Sequence, residues 1–549
     1  MNDEKFQIIS GLEMRLQRGN YREDWLFCLG LGIAALILFT VQLGELPLRD
    51  WDEGLVAQVA REIWQAPFES LTWLYPTQWG EPYFNKPTLV HSLIALTYAI
   101  GGVSEWTARL PGAMLTALSV PFLYGIGREV FYPRSSALFS ALVYLTLLPV
   151  VRQGRLAMLD GAILCFMLLM VWCLLRARRD YRYSLGVGIG FGLICLTKGV
   201  MVGILLVAIA IGFIAWDTPR LLRLPYLWIG LMFGVAPVAL WYYAQWQHYG
   251  ASFLGTNLVD QSLQRIWTGV EGNAGPPWYY LLEILKYTAP WLLFLPLAGK
   301  LAWDNRTLSW AKLAIVWGVI YLIVISLMTT KLPWYVLPFY PAFALLIGAQ
   351  LTELWNRGQR VGIRYQPPLP YSLGWASWFG VLSIAAWAGM VYFGWMQSPR
   401  DLGLAMVLAA VGITMTLATM LVLSQDRQFV VILLWGTYLT FVLFVMSSHW
   451  VWELAESYPV KPVAALIQQH APDGQSIYTS YPHNRPSLNF YSDRPVLPAS
   501  NQQLNRRWER DDRPFFLLDE PTFTNLNLEA AQVKGTAEGW MLVTKEGNG

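Results

Sequence analysis

Apolar runs about as long as a bilayer is thick recur along almost the whole chain. A helix needs roughly 20 mostly apolar residues to cross the hydrocarbon core. Such runs lie at about 26–46, 108–128, 135–152, 157–175, 183–197, 200–216, 225–246, 283–302, 311–328, 334–355, 372–395, 402–423 and 428–448. In lipid the backbone must satisfy its own polar groups, so runs of this kind are helices. Composition agrees: of 549 residues, 14% are charged, against roughly 25% in a soluble domain. The expected fold is an all-α polytopic membrane protein with about thirteen transmembrane helices. A net charge of +3 and the lack of any Lys/Arg block predict no nucleic-acid partner. Cys28, Cys165, Cys173 and Cys195 all fall inside apolar runs, without metal-site spacing; they are expected to be core thiols, with no disulfide. Residues 1–24 are polar and no small-residue cleavage pattern follows the first run, which predicts a retained signal anchor.

Loop charge sets the topology. Lys5, Arg15, Arg18 and Arg22 precede the first run. Arg128 and Arg134 follow the second, and Arg176, Arg178, Arg179 and Arg182 follow the fourth. Arg220 and Arg223 follow the sixth, Lys300, Arg306 and Lys312 surround the connection after the eighth, Arg357, Arg360 and Arg364 follow the tenth, and Arg427 follows the twelfth. The even connections are basic and so expected to be cytoplasmic. This pattern survives only if the short apolar stretch 88–103 does not cross, so it is expected to be interfacial or re-entrant. The expected organisation is a cytoplasmic segment 1–25, a transmembrane unit 26–448 whose first extracytoplasmic loop is 47–107, and an extracytoplasmic domain 449–549. In that last region SIYTSY and PFFLLD alternate like strands and VKPVAALIQQH reads as a helix, predicting a small α/β domain.

The unusual polar residues all fall on the outward connections. Asp50, Asp52 and Glu53 lie just past the first run, in RDWDEGLVAQVAREIW. EPYFNKP (81–87), SEWTARLP (104–111), GRLAMLDG (154–161), LTKG (196–199), NAGPPWYYL (273–281) and TTKLPWYVLPFYP (329–341) follow in order. Carboxylates and cations from distant segments at one membrane depth predict a polar cavity open to the outside, because ionisable groups are rare at that depth unless they serve a site. The residue types suit transfer from a lipid phosphate: cations neutralise the phosphate and a carboxylate takes the proton of the attacking group. No nucleotide-binding glycine motif is present. Each residue also has a plainer use. Asp52 can cap a helix, Asp160 can pair with Arg155, and Lys86, Lys198 and Lys331 can reach toward headgroups. Arg109 can anchor a helix end, and His91 and His248 read better as interface residues than as ligands.

With these motifs the chain resembles the GT-C glycosyltransferases that use polyprenyl-phosphate sugars, the group of the bacterial aminoarabinose transferase and the protein O-mannosyltransferase-like enzymes. The resemblance covers about residues 26–350 and rests on the order of seven motifs: DE after the first run, EPYFNKP, ARLP, GRLAMLD, LTKG, GPPWYY and KLPWYVLP. It implies that Asp52 is the catalytic aspartate, with Asp160 the second acidic residue of the cavity and Glu53 a further catalytic candidate. It implies that Lys86 meets the lipid phosphate and that Tyr83, Lys198 and Tyr335, with Arg155 and Lys331, line the substrate site. The reaction implied is direct displacement with inversion, from a polyprenyl-phosphate-sugar donor to an extracytoplasmic lipid, glycan or protein acceptor, at the plasma (inner) membrane. Two departures stand out. Asn85 and Asn273 replace an acidic residue and a histidine that are metal ligands in some relatives, so no metal and no other cofactor is expected. Gly54, Leu55 and Val56 follow the DE where the aminoarabinose enzyme has an Arg-containing triplet, which leaves the sugar open. The alternative is a transporter or flippase of a lipid-linked or anionic substrate, which predicts charges near the bilayer midplane rather than at one face.

Overall fold

The computed structural model describes residues 21–356, 370–451 and 459–545. The basic residues Lys5, Arg15, Arg18, Arg357, Arg360 and Arg364 lie outside the described residues. All thirteen apolar runs contain helix. In chain order these are α1 (Tyr21–Thr40), then α4 (Glu105–Val130) after two loop helices, α2 (Asp52–Gln65) and α3 (Leu89–Gly101). The bent pair α5 (Arg134–Leu145) and α6 (Leu148–Arg155) follows, then α7 (Asp160–Arg176), α8 (Ser184–Lys198), α9 (Val200–Asp217) and α10 (Pro225–Tyr249). A second bent pair, α11 (Tyr279–Tyr287) and α12 (Leu295–Asp304), precedes α13 (Ser309–Leu327), α14 (Tyr340–Trp355), α15 (Leu373–Val391), α16 (Leu402–Leu423) and α17 (Phe429–Val445). Among the described residues eight helices are long and apolar enough to cross a membrane, or ten if each bent pair is one span. The other three of the thirteen, α7, α8 and α17, have 17, 15 and 17 residues. Length and composition alone thus qualify eight to ten crossings; they neither establish nor overturn the thirteen expected. The stretch 88–103 is helical, but α3 has only 13 residues, too few to cross.

The helices pack around one continuous apolar core that includes Phe39, Leu145, Trp291, Trp317 and Phe343. Large side chains such as Trp228, Phe233 and Leu240 on α10 remain exposed, as a lipid-facing surface requires. The closest packing is between α8 and α10, where a Cβ on Gly188 would collide with the Gly230 carbonyl and one on Gly234 with that of Gly188. Absent side chains let two helix backbones meet here.

The basic connections meet at one end of the bundle. Asp24 accepts hydrogen bonds from Tyr124 (2.7 Å) and Arg128 (2.9 Å). Arg178 donates to Asp217 (3.1 Å) and Ser309 (2.9 Å), joining the connections after the fourth, sixth and eighth runs. The opposite end carries the first loop, where β1 (Thr77–Gln78) and β2 (Glu81–Pro82) form a small hairpin, and the C-terminal segment. That segment holds the helices α18 (Val460–His470), α19 (Pro486–Ser492) and α20 (Asn501–Arg510) and five strands. The strands are β3 (Ile477–Thr479), β4 (Val496–Pro498), β5 (Phe515–Asp519), β6 (Ala531–Ala537) and β7 (Trp540–Lys545), in the order β4-β3-β5-β7-β6. β3 runs parallel to β4 and β5, and the β6–β7 hairpin is antiparallel. Val463, Ile467, Ile477, Phe515 and Leu542 form a core of its own. The strands read from SIYTSY and PFFLLD and the helix read from VKPVAALIQQH are all present.

Candidate functional site

Three segments far apart in sequence bring two carboxylates and an ammonium together. Asp52 is the first residue of α2, Asp160 the first of α7 and Lys198 the last of α8. Lys198 Nζ donates to Asp160 Oδ1 and stands 5.7 Å from the centre of the Tyr335 ring. Asp160 therefore pairs with Lys198, not with Arg155. Asp52 is half-buried beside this pair. Desolvation pushes its carboxyl up to about 6; the Arg49 charge opposes that rise, the Asp160 charge adds to it, and Lys198 and Glu53 act more weakly. A carboxyl with a pKa near neutrality serves as a base far better than one near 4.

Further candidates lie on the outer loops. Tyr83 is buried, edge-on to His91 with ring centres 5.4 Å apart. Lys86 is half-buried in the same loop, whose backbone is tied to a distant segment: Asn257 Nδ2 donates to the Phe84 carbonyl at 2.7 Å. Tyr335 Oη accepts from Arg265 Nη1 at 3.1 Å. Arg265 and Arg49 were absent from the residues singled out in the sequence. Arg265 stands alone in a polar loop with no motif around it, and Arg49 precedes the acidic cluster as an ordinary interfacial arginine would. Only the fold sets the first against Tyr335 and the second within electrostatic reach of Asp52.

Three expected site residues are used otherwise. Glu53 is fully buried and faces Arg109, whose Nε and Nη2 donate to its two oxygens at 2.8 Å each. The same carboxylate accepts from the backbone N–H of Arg49 (2.9 Å) and Ala157 (2.7 Å). Burial alone would raise its pKa; the Arg109 charge and these hydrogen bonds outweigh that and hold it below the usual range. With both oxygens engaged, Glu53 joins α2 to the bundle rather than serving as a base. Arg155 is fully buried over the Trp450 ring and donates to the Leu38 and Val41 carbonyls, 2.7 Å each, at the end of α1. Lys331 Nζ donates to the Ile325 (2.9 Å) and Ser326 (2.8 Å) carbonyls at the end of α13. Both cations satisfy helix C-terminal carbonyls that have no partner of their own. Asn273 joins the Lys331 turn through its carbonyl, which accepts from Lys331 N at 2.7 Å. Among the described residues no three His, Cys, Asp or Glu side chains stand close enough to hold a metal.

Known proteins resemble this chain in sequence and share the fold of its bundle. Residues 85–243 match the family described as dolichyl-phosphate-mannose-protein mannosyltransferase. Particular relatives are similar as well. The undecaprenyl phosphate-α-4-amino-4-deoxy-L-arabinose arabinosyl transferase 1 of Pseudomonas fluorescens is 29% identical over 311 residues, 55% of each chain. The corresponding transferase of Aeromonas salmonicida is 26% identical over 339 residues, 60% of each. The matched stretch thus spans little more than half the length of these relatives. In structure, ArnT from Cupriavidus metallidurans bound to undecaprenyl phosphate superposes with a TM-score of 0.74 at 19% identity, covering 95% of this chain and 98% of that one. The oligosaccharyltransferase AglB from Archaeoglobus fulgidus gives 0.50 at 10% identity, covering 90% and 69%.

Proposed function

We propose that this protein is a membrane glycosyltransferase that moves a sugar from a polyprenyl-phosphate donor to an extracytoplasmic acceptor. The observation that carries the reading is the half-buried Asp52 with its raised pKa, set beside the Asp160–Lys198 pair at the mouth of an apolar helix bundle. The similarity to transferases named for undecaprenyl-phosphate sugars supports the donor class. An acceptor hydroxyl or amine attacks the anomeric carbon from the face opposite the phosphate and the configuration inverts. The bond from that carbon to the phosphate oxygen breaks, polyprenyl phosphate leaves with the electron pair, and Asp52 takes the acceptor's proton. Lys86 and Lys198 neutralise the charge that grows on the leaving phosphate. Asp160 holds Lys198 in place, and Tyr83 and Tyr335 shape the cleft.

On this reading the unit 26–448 carries the chemistry and 449–549 supports it from outside. The cleft opens away from the end where the arginine-rich connections gather, on the outer face of the plasma (inner) membrane. The reading includes a reaction without a metal, on the ground that Asn85 and Asn273 stand where the resemblance places metal ligands in some relatives. The test is transfer of label from a polyprenyl-phosphate sugar to envelope extracts by reconstituted protein. Asp52→Asn and Lys86→Ala, each folded like the parent, should lose at least about 100-fold in turnover. Near-normal turnover by Asp52→Asn refutes the mechanism.

A further inference from the structure

Asp52 is aimed by an unusual piece of backbone. Asp52 N donates to the Asp50 carbonyl at 2.6 Å, and the residue between them, Trp51, sits at φ 58°, ψ −66°. This is a γ-turn with positive φ at its centre, the strained form of that turn, on a bulky aromatic residue. Such a conformation persists only where its surroundings over-determine it. On the helical side it is fixed by Glu53, locked to Arg109 and Ala157. On the other side it is fixed by Asp50, whose partners come from the opposite end of the sequence. Arg485 Nε donates to Asp50 Oδ2 at 2.7 Å, and Ser487 donates to Asp50 Oδ1 from its backbone N–H, at 3.1 Å, and from its hydroxyl. Asp50 and Arg485 are 5% and 3% exposed, so the pair works in a low dielectric, where removing one partner is costly.

The rest of the contact has the same purpose. α19 lies so close to α2 that a Cβ on Gly54 would stand 2.5 Å from Ser487 N. Arg61, two turns along α2, donates to the Phe490 carbonyl at 3.0 Å and pairs with Asp493 at 3.2 Å. Tyr491 Oη accepts from Leu48 N at 2.7 Å and donates to Glu105 at 2.9 Å. The C-terminal segment thus grips both flanks of residues 49–54 and touches neither Asp160 nor Lys198 in any of these bonds.

We propose that Arg485 and Ser487 are positioning residues: through Asp50 they hold the γ-turn closed and so keep the Asp52 carboxylate directed at the Asp160–Lys198 pair. The proposal rests on the reading of Asp52 as the reacting carboxylate, and its test separates the two. In the full-length protein Arg485→Gln should speed amide exchange at residues 50–54 by about tenfold or more while α4 and the β5–β7 pair stay protected. With labelled donor, kcat should fall about 10- to 100-fold with KM within about twofold, and Arg485→Lys should recover part of the loss, since an ammonium can still reach Asp50. Unchanged exchange at 50–54, unchanged kcat, or a fall seen only in KM overturns the proposal. If Arg485→Gln loosens the whole protein, Ser487→Ala decides, because it leaves the ion pair and the backbone donor in place. A local rise in exchange with about a threefold fall in kcat supports the proposal, and no change overturns it. If the parent protein transfers sugar from no polyprenyl-phosphate donor, the proposed function fails, and the exchange measurement alone decides whether the clamp exists.

Discussion

Asp52 and Glu53 are neighbours in sequence and opposites in chemistry. The same four-residue acidic cluster supplies one carboxyl raised to about 6 and one held low. Their signs give two predictions. Asp52, raised above its ordinary value, binds a proton more tightly folded than unfolded, so its ionisation weakens the fold as pH rises from about 4 to about 6. Asp52→Asn should then raise Tm by about 1–2 °C at pH 8 and leave it unchanged at pH 4, while the parent's turnover should climb with pH through about 6. A variant with no gain at pH 8 would mean that the carboxyl is well solvated. Glu53, held low, contributes stability that is present above its ordinary pKa and lost as pH falls through the folded value. Glu53→Gln leaves the Arg109 guanidinium buried without its counter-charge and should cost about 3–5 kcal/mol, read as lower thermal stability at neutral pH. The motifs located both residues, but adjacency in a sequence does not tell a residue turned into a cleft from one turned into the core. The same limit applies to Arg155 and Lys331. Their outer-end positions were legible, whereas the helix-end carbonyls that take their charges are defined only once the helices have met.

Among the elements, α8 and α10 show how the bundle is drawn tight below the cleft. Gly188 and Gly192 on one helix face Gly230 and Gly234 on the other, each pair four residues apart and so on one helical face. Gly188→Leu should push the helices apart and displace Lys198 at the end of α8, lowering thermal stability by more than about 3 kcal/mol. Gly299→Leu, at an open position on α12 with nothing within 4 Å of a new Cβ, should be nearly silent in the same assay. The helices themselves were read almost entirely from apolar run length, because that signal is local. The bends were not: α5–α6 turns by 58° and the α11 pair by 112°, and no residue count carries those angles. Each bent pair can still count as one crossing; the three runs outside the count of ten, α7, α8 and α17, are helices of 17, 15 and 17 residues.

At the scale of the molecule, the two ends of the bundle differ in kind. One carries arginines tied to carboxylates from neighbouring connections; the other carries the cleft, the first loop and the sheet. A membrane-impermeant thiol reagent applied from outside to a cysteine-free protein should label Gln502→Cys on α20 and spare Thr307→Cys at the other end. The reverse pattern would turn the proposed orientation over. Alternating loop charge made this polarity legible, since it is counted along the chain. Arg485 was not, because its partner lies 435 residues earlier and no local pattern links the two. That separation also has a consequence for biogenesis. Asp50 leaves the ribosome 435 residues before Arg485 and must wait until that later segment has been made and brought to the same end of the bundle. A nascent chain that has passed Tyr335 but not Arg485 therefore carries every residue of the acid–cation cluster and still lacks the contact proposed to set Asp52, so synthesis itself keeps the cluster unset until residue 485 has emerged.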